Sequence, residues 1–493
     1  MTDTYPYAWL LALIAAVGLA ALLSNRVTAR LRVPAPALML GAAAVAVKVV
    51  PPLHTPSEQT VNRLVTVALV VLLFDGGMHI GWPRFRAAAR SIAVVGVLGT
   101  FLTAAGAALF LHLVVGLDWY PALLVATAVA PTDPAVVFSV LGQREIAGPS
   151  GTILEGESGA NDPVGIALMA SLLSAGGLSG AAFGQVGGQF LLQMGVGAAV
   201  GVVGGRAMLW FMRHVPLPGE GLYPLRTLAC ALALFGLATV AHGSGFLAVF
   251  IAGILIGEER APYKREIEHF HSALASLGEI VAFVVLGLTV DLAELTRLDV
   301  WLPGLALGLA LALVLRPVLV APCLAGAGLN RNEKGFVLFS GLKGAVPILL
   351  GSFLLASHLA DAERLYAIVV VVVIFSVVVQ GSLVPTAAKL LRVPMRMVEP
   401  EPWTLGVRLR DEPNGVQRLT VADGSIAAGR TIRELSDLPE NAWVSFLVRD
   451  GQLVPVSART RLRAGDDALV LADPGVAGAL RRVFEQPVRD PAD

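Results

Sequence analysis

Charge is scarce in this chain: 15% of its 493 residues are Asp, Glu, Lys or Arg, where a soluble domain carries about 25%. With 56% hydrophobic residues and a mean hydropathy of +0.74, a soluble globular fold is excluded and a polytopic membrane protein remains. Lys plus Arg number 36 and Asp plus Glu 36, so no excess of basic surface points to nucleic acid. Only two cysteines occur, Cys230 and Cys323, both in apolar runs. That excludes a disulfide framework and a thiolate metal site, and reads as two core thiols. No TVGYG run is present to build the carbonyl rings of a potassium filter. No GxGxxG is present to hold a dinucleotide.

Apolar runs of about 17–25 residues read as membrane spans. Thirteen are found, near 8–24, 34–51, 63–80, 91–115, 120–141, 152–177, 189–213, 224–241, 243–257, 274–290, 300–327, 335–357 and 366–390. The first lacks a basic leader and is followed by Asn25 and Arg26, so it reads as a retained helix rather than a signal peptide. Arg26, Arg30, Arg32, Arg84, Arg86, Arg90, Arg144, Arg213, Arg226, Arg260, Lys264, Arg265, Arg331, Lys334, Lys389, Arg392 and Arg396 fall in alternate loops. Only Lys48, Arg63, Arg297 and Arg364 fall on the other side. The positive-inside rule therefore places the C-terminus in the cytoplasm and the N-terminus outside, as in a multi-pass bacterial inner-membrane protein.

Against this background the run GTILEGESGANDPVGIALMASLL, residues 151–173, needs a reason for Glu157, Asn161 and Asp162. A charge at membrane depth costs roughly 2.5–3.5 kcal/mol on insertion scales, so an acidic residue there reads as part of an ion or proton path. The span before it carries APTDPA, with Thr132, Asp133 and Pro134, and the twelfth carries SGLKGAVP around Lys343. Thirteen spans divide as six, a linker and six, which sets these two at equivalent positions of an inverted repeat. Helix breaks at matching positions mark a transporter's midplane site, since unwound backbone is tolerated in a membrane only where it lines a cavity. The expected fold is all-α and polytopic, with two broken, crossing helices.

On the sixth helix Ser158 and Asp162 are four apart and share a face, while Glu157 and Asn161 share another. Ser158, Asp162 and Thr132 offer hard oxygens to an alkali cation. Glu157 needs a buried cation of its own, and Arg316, in mid-run in the eleventh span, is the proposed partner; Asp162 and Asp133 are its alternatives. Asp75 in the third span reads either as a third acidic group facing the same cavity or as a cap at the boundary. His79 reads as interfacial, and Glu155 and GEERAPYKREIEHF as cytoplasmic-surface charge.

These runs, APTDPAVVFSVL, LEGESGANDPVG, Arg316-Pro317 and GLKGAVPILL, resemble the monovalent cation:proton antiporters of the sodium/hydrogen exchanger superfamily, in its NhaP-type branch, over about residues 8–392. The resemblance implies that Asn161 and Asp162 form the ion site, with cation and proton competing for Asp162. It also implies that Thr132, Asp133, Pro134, Ser158 and Asp75 belong to the transport machinery and that Glu157 and Arg316 form a structural ion pair. Asn rather than Asp at 161 resembles the electroneutral members. Lys343 stands where the family usually has arginine, keeping the charge without the bidentate fork, at a position tied to conformational switching or pH response. A homodimer working by alternating access, with K+ or Na+ and H+ as its cargo and no cofactor, is the implied machine.

After Met397 the composition turns polar. Residues 398–415 read as a linker, and 416–486 as a small cytoplasmic α+β domain with strands QRLTVA, WVSFLVRD and DALVLAD, a hairpin turn at Asp450-Gly451 and an amphipathic helix GVAGALRRVFE. The order of elements and GDDALVLA resemble the TrkA-C (RCK C-terminal) domain of potassium transport proteins. That resemblance implies a dimerising ligand sensor, with a nucleotide effector as one option and a passive dimerisation domain as the other. It also inclines the cargo toward potassium. Two other classes fit less well. A ligand-gated potassium channel lacks its filter, and an intramembrane hydrolase lacks a second catalytic motif beside its aspartates.

Overall fold

Glycine and proline decide where the apolar segments stay continuous. The computed structural model describes residues 35–49, 57–141, 144–146, 148–257, 263–357, 359, 361–397, 416–435, 438–439, 442–449, 452–472 and 474–486. The expected span at 8–24 and the turn at Asp450-Gly451 lie outside them. Among the described residues, seven helical stretches are long and apolar enough to cross a bilayer: Gln59–Val115, Trp119–Leu141, Gly180–His214, Leu222–Val240, Lys264–Leu288, Leu298–Leu324 and Ala362–Leu390. Shorter apolar helices lie at Leu38–Lys48, Gly245–Gly257 and Ala345–Leu355. The helix Pro149–Ala175 is too polar to join the seven, yet most of it is buried, so other helices rather than lipid surround it.

Two expected spans, 63–80 and 91–115, lie on two helices that meet at Gly81, whose φ of 64° and ψ of 163° are outside the helical region. The arginines 84, 86 and 90 are therefore on helix, not in a loop. Likewise the charged segment from Lys264 is helical and extends the tenth span toward its N-terminus. The fifth and twelfth spans are each broken. Trp119–Val129 and Pro134–Leu141 are separated by residues 130–133, and Arg331–Phe339 and Ala345–Leu355 by residues 340–344. The breaks touch: the Asp133 amide donates to the Leu342 carbonyl at 2.8 Å.

The chain divides into two compact units, Met1–Glu399 and Pro400–Asp493. In the first, a short antiparallel pair joins β1, Arg144–Ile146, to β2, Met395–Met397, with Arg144 opposite Met397. The second unit is a four-stranded antiparallel sheet of β3 (Val416–Thr420), β4 (Trp443–Arg449), β5 (Gln452–Val454) and β6 (Asp467–Leu471), in the order β3-β6-β4-β5. Helix Ala477–Phe484 covers one face through Leu480, Val483 and Phe484, which meet Leu419, Leu447, Ala468 and Val470 in its core.

Among the described residues of this unit one charged side chain is buried. Asp466, 1% exposed, takes both Nε and Nη2 of Arg449 at 2.8 Å, and the Arg463 amide at 2.8 Å. Burial pushes its carboxyl up, but the Arg449 and Arg463 hydrogen bonds prevail and hold it below the ordinary carboxylate range. A depressed carboxylate stabilises the fold above its unfolded value, near ~3.9, and that contribution is lost as pH falls through the folded value. Arg449→Ala should therefore cost the second unit about 3 kcal/mol at neutral pH, as for a broken buried pair. The difference from the parent chain should shrink as pH is lowered below ~3.9. Hydrogen exchange at the β6 amides of the full-length protein measures it; a loss independent of pH would show that packing, not charge, is what Arg449 supplies.

Candidate functional site

Breaking a helix inside a membrane exposes four amides at one new end and four carbonyls at the other, with about half a unit charge at each. The charged residues beside the breaks answer those ends. The Asp133 carboxylate accepts from the Ala135 amide at 2.9 Å and lies against Gly344, so one anion caps Pro134–Leu141 and also stands at the N-terminus of Ala345–Leu355. A methyl group at position 344 would land on that carboxylate, which is why glycine stands there. Lys343 answers the opposite end. Its Nζ donates to the carbonyls of Ala130 at 3.0 Å and Pro131 at 3.1 Å, where helix Trp119–Val129 stops. A compact ammonium suits two carbonyls as well as a guanidinium would, so Lys343 fills this place without the bidentate fork.

The C-terminus of Arg331–Phe339 is met from other helices. Arg316 donates through Nε to the Leu338 carbonyl at 3.0 Å and through Nη2 to that of Val337 at 3.4 Å, and Gln380 Nε2 donates to that of Phe339 at 2.6 Å. The same Arg316 Nη2 reaches Glu157 at 2.8 and 3.0 Å, both side chains being almost fully buried. Among the described residues no ion pair joins Arg316 to Asp162 or Asp133. Gly341 leaves room for the guanidinium, since a Cβ there would overlap it.

Asp162 lies among these groups but is not served like them. It is 7% exposed, it sits within range of the charges of Asp133 and Lys343, and its Oδ1 has no hydrogen-bond partner. Beside it, Asn161 donates through Nδ2 to the Thr132 hydroxyl at 2.7 Å, while its own Oδ1 is also buried without a donor. Ser158, 8% exposed, lies one turn before Asp162 on the same face. Pro163 has no amide to give, so the Gly159 carbonyl lacks its helical partner. Buried oxygens rich in lone pairs and poor in donors suit a hard monovalent cation or a proton. Among the described residues no cluster of His, Cys, Asp and Glu is placed to hold a resident metal.

Asp75 is placed differently. Its carboxylate accepts from the Ser272 hydroxyl at 3.1 Å and lies 3.3 Å from His79 Nδ1, so its partners are on its own helix and on Lys264–Leu288. No hydrogen bond or ion pair among the described residues brings it to Asp162. Three further residues enter that the sequence reading passed over. Ser376 and Gln380 stand beside the second break, and Glu279, mostly buried on Lys264–Leu288, is close enough to Asp133 for their charges to interact. Glu279 carried the signal that found Arg316, an ion inside an apolar run; Ser376 and Gln380, being neutral, carried none.

Comparison with known proteins adds an independent line. Residues 13–390 match the family described as sodium/hydrogen exchanger, transmembrane, and residues 416–485 match the TrkA-C domain. A K(+)/H(+) antiporter NhaP2 of Shewanella oneidensis is 32% identical over 432 residues, spanning 85% of this chain and 73% of the relative. A K(+)/H(+) antiporter NhaP of Alkalimonas amylolytica is 33% identical over 410 residues, 82% of this chain and 71% of the relative. The structure of the sodium proton antiporter MjNhaP1 from Methanocaldococcus jannaschii at pH 8 superposes with a TM-score of 0.63 at 21% identity, over 76% of this chain and 99% of that one. At that identity the likeness is one of fold.

The Glu157–Arg316 contact generates a direct test. Glu157→Gln or Arg316→Met alone should destabilise the protein by about 3–5 kcal/mol, because each leaves a buried charge alone. The double variant should recover most of the loss, short of what Arg316 gives to the Val337 and Leu338 carbonyls. Thermal unfolding in detergent measures all three, and losses that simply add would show that the pair contributes nothing jointly.

Proposed function

The chain belongs to the sodium/hydrogen exchanger family, and on that premise we infer that it is a secondary antiporter, not an enzyme, exchanging potassium or sodium for protons across the cell membrane. The observation that carries the mechanism is the contrast among the ions at the breaks: Asp133, Lys343, Glu157 and Arg316 are hydrogen-bonded to partners, whereas the buried Oδ1 of Asp162 has none. A carboxylate held in that way binds whichever of cation or proton is offered. Because one excludes the other, loading a cation releases a proton, and one site couples opposite fluxes.

Asn161, Thr132 and Ser158 complete the proposed cation shell, Thr132 keeping a lone pair after accepting from Asn161. Asn161 brings no charge, which supports one proton per cation. Potassium is the preferred cargo, favoured by the names of the two bacterial relatives and by the TrkA-C match. Alternating access is proposed to turn on the two crossed breaks, within six-helix inverted repeats of a homodimer whose C-terminus faces the cytoplasm. Residues 416–486 are proposed to regulate exchange, through a nucleotide or another small effector, rather than to carry it out.

Asp162→Asn keeps shape and removes the titrating charge. It should abolish cation-dependent proton movement in proteoliposomes while the protein still inserts and folds. Substantial exchange by that variant, driven by a pH gradient, would end the mechanism. For the tail, truncation after Met397 should leave exchange intact with an altered pH or ligand dependence; loss of the reaction itself would show that the second unit belongs to the transport machinery.

A further inference from the structure

Helix Ala362–Ile374 passes into a wider π-helical turn, Phe375–Gln380, before continuing as Gly381–Leu390. Such turns have poorer hydrogen-bond geometry and persist mostly at functional places. Between Ala367 and Gln380 the sequence is AIVVVVVIFSVVVQ, so Ser376 and Gln380 are its only polar side chains, and both are buried. Each is costly there unless hydrogen-bonded.

Their hydrogen bonds form one line across the second break. The Lys343 amide donates to Ser376 Oγ at 2.9 Å, the Ser376 hydroxyl lies 3.2 Å from Gln380 Oε1, and Gln380 Nε2 donates to the Phe339 carbonyl at 2.6 Å. Phe339 ends one half-helix and Lys343 stands two residues before the other begins. A single π-helical turn thus holds both sides of the unwound residues 340–344. Arg316, Gly341, Lys343, Ser376 and Gln380 also line one small enclosed cavity. A packing role alone would be filled by valine, as at the neighbouring positions. What valine cannot supply is an acceptor for the Lys343 amide and a donor for the Phe339 carbonyl.

We propose that Ser376 and Gln380 are positioning residues for exchange: they fix the backbone of the second break and so set where the Lys343 ammonium stands relative to Asp162. Lys343 Nζ reaches the Ala130 and Pro131 carbonyls only from a backbone held in this place. Its charge acts on Asp162. A break that drifts by a fraction of an ångström therefore changes the field at the carboxylate without touching it.

The test uses the full-length protein in proteoliposomes. Ser376→Ala should change the apparent KM for the cation about tenfold, the equivalent of one buried hydrogen bond lost, and displace the pH profile of exchange by about one unit. Ser376→Thr, which keeps the hydroxyl, should restore both. In a Lys343→Gln background, Ser376→Ala should no longer move the pH profile, since the group it positions is gone. A Ser376→Ala protein that loses only amount or maximal rate, with KM and pH profile unmoved, overturns the proposal, as does failure of Ser376→Thr to rescue. Gln380→Leu removes the donor to Phe339 and the acceptor for Ser376 without adding a titrating group, and is read in the same way where Ser376→Ala does not insert. Failure of both to insert counts as a purely structural role and against the proposal. The inference rests on Asp162 as the exchanging carboxylate, and the two fail separately. Exchange by Asp162→Asn removes the site itself, whereas an inactive Asp162→Asn beside an unchanged Ser376→Ala removes only the positioning.

Discussion

A helix cut in the middle of a bilayer has nowhere to put its ends. Water is not there to solvate the freed amides and carbonyls, and each end carries about half a charge. This protein makes two such cuts and sets them against each other, so that four half-helix ends meet in one small volume. One anion stands at two N-termini, Asp133 accepting from the Ala135 amide and lying against Gly344. Lys343 serves one C-terminus, and Arg316 with Gln380 serves the other. Other residues around the breaks follow from that requirement. Glu157 is present because Arg316 is, Gly344 because Asp133 needs the room, and Gly341 because Arg316 does.

The same requirement bears on the site proposed for exchange. With the helix ends met by residues committed to them, Asp162 is left with an Oδ1 that, among the described residues, faces no protein donor. A carboxylate paired to Lys343 would bind neither cation nor proton readily, because it would already have its counter-charge. Here the ammonium is directed to two carbonyls and influences Asp162 only through its field. Separating structural charge from exchangeable charge is thus a matter of geometry at the breaks, not of residue type.

What could be read in the sequence follows the same division. Ions announce themselves in an apolar run, so Glu157, Asp162, Asp133, Lys343 and Arg316 were visible from depth alone, and the pairing of Glu157 with Arg316 could be argued from the cost of leaving either unpaired. The proline and glycine clusters at 130–135 and 340–347 marked the breaks for the reason that they cannot continue a helix. The contact between the breaks was not visible, because a backbone bond from Asp133 to Leu342 leaves no trace in either residue's identity. Ser376 and Gln380 were hidden for a related reason: a neutral side chain in a valine run reads as tolerated polarity until its partner is seen to be backbone. Asp75 shows the limit from the other direction. Its depth left open a shared cavity or a cap at the boundary; its partners are Ser272 and His79, and depth alone cannot say which helix a carboxylate faces.

The connection to the second unit obeys the same economy of backbone groups. The chain leaves its last membrane helix at Leu390 and, five residues later, enters β2, which pairs with β1 residue for residue from Met395 to Met397. β1 lies between Pro134–Leu141, capped by Asp133, and Pro149–Ala175, which carries Asp162. A three-residue antiparallel pair is marginal by itself. Held by the helices on either side of β1, it fixes the course of the chain after Leu390 against the segment between the first break and the helix that carries Asp162.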